Sequence, residues 1–137
     1  MYHRVIWTGA VLLAGCAGRL SAPLTATTSA GPDEAFDCVK QQLKDLGYKQ
    51  SSIDLDARRI NATKIDEKTR RADTQFRRIL NKLGVEVAPQ ADGRTGIQVA
   101  GHTFAEYTTQ RGPTEEEEKA SDDVRTAQQQ IVERCRS

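Results

Sequence analysis

The chain has 137 residues, 37% hydrophobic and 5% aromatic, with 20 basic and 19 acidic side chains and a formal net charge of +1. That length fits one domain with a modest aliphatic core. With that charge balance, nothing in the composition demands nucleic acid or an acidic partner.

At the amino terminus, Arg4 and the α-amine precede an apolar run from Val5 to Leu13, and small residues follow. That order is the plan of a secretory signal. The run is much shorter than the roughly 20 apolar residues a spanning helix needs. It closes on Leu13-Ala14-Gly15-Cys16, which resembles the lipobox of bacterial lipoproteins. The resemblance covers the signal region alone. It implies that the Cys16 thiol takes a diacylglycerol, that the chain is cut before Cys16, and that the new amine is acylated. Multiple acyl chains anchor a protein stably where one does not. Residues 1–15 are then a signal peptide. An aspartate after the cysteine would resemble an inner-membrane retention signal. Ala17 stands there, so the resemblance implies an outer-membrane anchor facing the periplasm.

Residues 16–32 are rich in small and hydroxylated side chains without an apolar period. We read them as the lipidated cysteine and a flexible tether. Residues 33–137 form the expected single α+β domain. Pro32-Asp33-Glu34 suits a helix start, Phe36, Val39, Leu43 and Leu46 form one stripe, and Gly47 stops it. This predicts a helix over 33–46. Export would place Cys38 and Cys135 where disulfides persist, and they have only each other to pair with once Cys16 is acylated.

Tyr48 to Asp56 and Ile60 to Ile65 read as a weakly patterned hairpin. Residues 66–83 admit two readings. As a helix, Ala72, Phe76, Ile79, Leu80 and Leu83 share a face; as a loop and strand, Ile79, Leu83, Val85 and Val87 do. The next segment alternates through Ile97, Val99, Gly101, Thr103, Ala105 and Tyr107. A hairpin loop Ala91-Asp92-Gly93 with Gly93 left-handed pairs Val87 with Ile97, Val85 with Val99, Leu83 with Gly101 and Ile79 with Ala105. Apolar residues then meet apolar or small ones throughout, which favours the strand.

Thr114 with Glu117 resembles a capping box, and the acids from Glu115 to Glu118 suit a helix start. Val124, Ala127, Ile131 and Cys135 continue an apolar face. The expected order is helix, four antiparallel strands, helix, with both helices on one face of the sheet. In element order alone this is similar to small helix-flanked sheet domains of envelope lipoproteins, and no motif carries functional residues across.

No nucleophile elbow, HExxH or Cys-x-x-Cys is present, so no catalytic residue, metal site or cofactor is assigned. His102 with Glu106 on the same strand face is the one candidate acid–base pair. A basic cluster, Arg58, Arg59, Lys64, Lys68, Arg70, Arg71, Arg77, Arg78 and Lys82, offers contacts for anionic lipid or an acidic envelope protein. It lacks aromatic residues for stacking nucleic acid. The leading expectation is a non-enzymatic, membrane-anchored structural or interaction module. The alternatives are a carrier of a small apolar or anionic ligand and a hydrolase using His102 and Glu106.

Overall fold

The computed structural model describes residues 19–136; the lipobox and Cys16 lie outside them. Within that range the fold is α+β. Its strands are β1 (Leu24–Thr28), β2 (Lys49–Asp54), β3 (Arg59–Asp66), β4 (Phe76–Pro89), β5 (Thr95–Thr109) and β6 (Gly112–Glu118), and its helices are α1 (Pro32–Asp45) and α2 (Asp122–Cys135). All strand pairings are antiparallel, in the order β1-β5-β4-β3-β2, with β6 also on β5. The sheet thus has six strands rather than four.

The central hairpin has the register its apolar pattern demands. Val87 lies opposite Ile97, Val85 opposite Val99, Leu83 opposite Gly101 and Ile79 opposite Ala105. Gln90 N donates to Arg94 O at 2.8 Å, and Gly93 has φ 83°, a left-handed conformation that glycine adopts without steric cost. Residues 66–75 are loop and β4 begins at Phe76, so the strand reading holds over the helix.

The two added strands correct the expectations at either end of the sheet. β1 falls inside the segment read as tether. β5 is too long for one partner on its free side, so β1 satisfies the backbone of its first part and β6 that of the rest. Leu24 and Ala26 pack on the core and Thr28 is buried, but small threonines hide that alternation in the sequence. β6 holds the acids assigned to a capping box. Glutamate is a poor strand former, yet here Glu115 reaches Lys82 and Glu118 reaches Arg71. Pro113 is tolerated because β6 is an edge strand. The last helix starts later, where Ser121 Oγ accepts from Val124 N at 3.2 Å as its N-cap.

One apolar cluster joins Phe36, Val39 and Leu43 of α1, Val124, Ala127 and Ile131 of α2, and Leu83, Val85, Ile97 and Val99 of the sheet. Burying such side chains contributes about 1.5–3 kcal/mol each. Cys38 and Cys135 are disulfide-bonded, with Cα atoms 5.7 Å apart, and so join the first turns of α1 to the end of α2.

Candidate functional site

β3 and β4 are neighbours, as a shared basic region requires, but strand alternation sends their charges to opposite faces. Arg59 and Arg78 project on the face opposite the one that carries Lys64. Most of the cluster is also matched by acids. Arg58 Nε donates to Asp33 Oδ1 at 2.9 Å, Arg59 lies 3.3 Å from Glu86, and Lys64 lies 3.3 Å from Asp123. Arg71 makes a two-point contact with Glu118, its Nη2 donating to Oε2 at 2.6 Å. Arg78 Nε stands 3.2 Å from Glu106 Oε1, poorly aligned for a hydrogen bond, while Nη2 donates to Oε2 at 3.4 Å. The side chains of these cations are 28–61% exposed, so solvent screens each pair to about 0–1 kcal/mol. Their effect is to cancel the expected patch. Among the described residues, Lys68, Arg70 and Arg77 of the cluster have no carboxylate within 4.0 Å.

Arg70 lies at a groove of about 930 Å³ between β2, the end of β3 and the start of α2, shared with Lys49, Lys64, Ile65, Lys68 and Asn81. Asp66, Glu67 and Asp123 also line it, but two of those acids are already engaged. Asp66 accepts from the Thr69 hydroxyl at 2.7 Å and from Lys68 N at 2.8 Å, contacts that hold its carboxyl below the usual range. Asp123 accepts from Tyr48 Oη at 2.7 Å and faces Lys64. Burial, with that hydrogen bond second, pushes the Tyr48 hydroxyl well above its ordinary pKa.

Asn81 is 3% exposed and anchors the wall of the groove. Its Oδ1 accepts from Thr103 Oγ1 at 3.0 Å and from Ser121 Oγ at 2.9 Å, while Ser121 N donates to Thr103 Oγ1 at 2.9 Å. This network fixes the start of α2 against the sheet and leaves the Asn81 amide N–H groups for an acceptor in the groove. Asn81 escaped the sequence reading because a lone asparagine in an apolar strand carries no motif. The Ser121-Asp-Asp sequence was its one visible sign, as a helix cap.

His102 and Glu106 do not meet. Four residues along one strand separate Cα atoms by about 13 Å. Glu106 pairs with Arg78, and His102 Nδ1 contacts Glu117 of β6 and, at 3.1 Å, Ser21 Oγ. Ser21 was not anticipated. Both oxygens address the same ring nitrogen, so the imidazole does not bridge a hydroxyl and an acid through its two nitrogens as a serine–histidine–acid relay does.

Ser21 belongs to a segment seated on the domain. Ala120 N donates to Leu20 O at 2.8 Å, and Gln128 Nε2 donates to Ala22 O at 3.1 Å and Val99 O at 2.9 Å. A cleft of about 270 Å³ remains beside it, with Arg19, Lys119 and Arg125 and no acid in its lining.

No family model matches the chain, and no curated protein matches it.

Proposed function

We propose that this protein is a lipid-anchored component of a bacterial cell envelope, held through Cys16 and facing the periplasm from the outer membrane, whose domain is a non-enzymatic interaction module. The observation that carries the reading is the Cys38–Cys135 disulfide in a chain that opens on a lipobox-like Leu13-Ala14-Gly15-Cys16. A structural disulfide belongs to an oxidising compartment, and export through such a signal leads there. The sheet face turned away from the apolar cluster and the groove beside β2 are left for contacts. Mass spectrometry of the protein from its host membranes tests the anchor. A chain starting at Cys16, acylated and two hydrogens lighter than the free thiols, is expected. An unmodified chain retaining residues 1–15 overturns it. Envelope crosslinking followed by affinity purification tests the interaction role, and repeated recovery of the protein alone counts against it.

A second reading, a carrier of a small anionic ligand, draws on the groove. Lys49, Lys68 and Arg70 line it without ion-pair partners among the described residues, and Asn81 offers amide donors there. Binding of inorganic phosphate or a dicarboxylate that weakens in Arg70→Ala would support this reading, and its absence in calorimetry removes it.

A further inference from the structure

The chain is pinned to the domain sooner than a tether allows. Leu20 is held by Ala120 N and Ala22 by Gln128, and β1 begins at Leu24. Leu20 follows Cys16 by four residues, which reach at most about 14 Å when fully extended. Acyl chains on Cys16 insert into the bilayer at that cysteine, so the domain cannot stand far from the surface. We infer that the edge formed by residues 19–24, Lys119, Ala120 and the Arg125 and Gln129 side of α2 lies against the lipid headgroups of the membrane that holds Cys16. This rests on the anchor reading proposed above.

The chemistry of that edge fits. Arg19 and Lys119 have no ion-pair partner among the described residues, and Arg125, paired with Asp122, stands at the rim of the same cleft. Leu20 is 44% exposed there. A cationic rim around an exposed leucine suits phosphate headgroups above an apolar interior. The orientation also places the other edge outward. β2 lies four strand spacings from β1, about 19 Å at the usual separation. The groove beside β2 would then open toward the periplasm, where a soluble partner or ligand approaches.

Trp7 is the chain's single tryptophan and leaves with the signal peptide, so an introduced tryptophan reports alone. Gln129→Trp at the cleft and Asp56→Trp in the β2–β3 turn are to be made in the full acylated protein and placed in phosphatidylcholine–phosphatidylglycerol vesicles with acyl chains brominated near the headgroup. Gln129→Trp fluorescence is expected to be quenched and Asp56→Trp fluorescence to be retained. A flexible Gly-Ser insertion between Ala17 and Gly18 should abolish the quenching. Equal quenching at both positions overturns the inferred orientation while leaving the anchor intact, and quenching that survives the insertion unchanged overturns the role given to the short connection. A mass without acyl groups on Cys16 overturns the anchor and the orientation together.

Discussion

Gly101 of β5 lies so close beneath Val124 of α2 that a Cβ built on the glycine would stand 2.4 Å from Val124 Cγ1 and 2.9 Å from Gln128 Cδ. Val124 is fully buried and β-branched, with little rotamer freedom in a helix. Gln128 is tied to the Val99 and Ala22 carbonyls. Neither can move aside cheaply, so the glycine sets how closely α2 approaches the sheet. Gly101→Ala should cost about 1–3 kcal/mol through overpacking. Urea denaturation checks this, and the decisive comparison is the double variant. Gly101→Ala with Val124→Ala should be less destabilised than the sum of the single variants, because the second truncation makes room for the first. Strict additivity would show that the contact does not limit the packing.

The start of α2 gives a second test. Ser121 caps the helix and donates to Asn81, whereas Thr114 lies in β6 opposite Tyr107. Ser121→Ala should cost about 1–2 kcal/mol, the usual loss for an N-cap. Thr114→Ala, at an exposed edge position, should stay within about 0.5 kcal/mol of the parent. Thermal unfolding of the two variants distinguishes them. The opposite ranking would place the helix start at Thr114.

What the residues revealed in advance depended on how strongly they alternate. Leu83, Val85, Val87, Ile97 and Val99 specify one register, since a slip of one residue would turn every one of them outward. The stripe of α1 and its cysteine were legible for the same reason. β1 and β6 were not, because Thr25, Thr27 and Glu115 to Glu118 adopt strands only once β5 supplies a ladder and cationic partners. The basic residues illustrate a further limit. Their positions in sequence were plain, but the acids that neutralise them come from α1, β4, β5, β6 and α2. Only the folded chain shows that Arg59 finds Glu86 and Arg71 finds Glu118.

The disulfide closes a sequence separation of 97 residues. Limiting the unfolded chain over so long a loop contributes about 4–5 kcal/mol in the chain-entropy description. Cys38→Ser with Cys135→Ser should therefore shift the urea midpoint strongly downward. Most of the change should appear as lost stability, and the far-ultraviolet spectrum of the folded state should persist in dilute buffer, because the apolar cluster of Val39, Leu43, Val124 and Ile131 remains. A midpoint that does not move would show that the bond contributes little to stability.

Tyr48 makes the alkaline response predictable. Its hydroxyl is buried, donates to Asp123 and faces that carboxylate's charge, all of which raise its pKa in the folded state. In the unfolded chain a tyrosine titrates near pH 10. The folded state therefore binds the proton more tightly, so the stabilisation is fully present below about pH 10 and is lost as the pH rises beyond it. Tyr48→Phe should cost about 0.5–1.5 kcal/mol at neutral pH, toward the lower end because Asp123 is half-exposed and retains Lys64. Above pH 10 the gap between the two proteins should narrow, since phenylalanine has no proton to lose. Denaturant unfolding at a series of pH values reads both effects, and a constant gap across the alkaline range would show that Tyr48 titrates as it does in the unfolded chain.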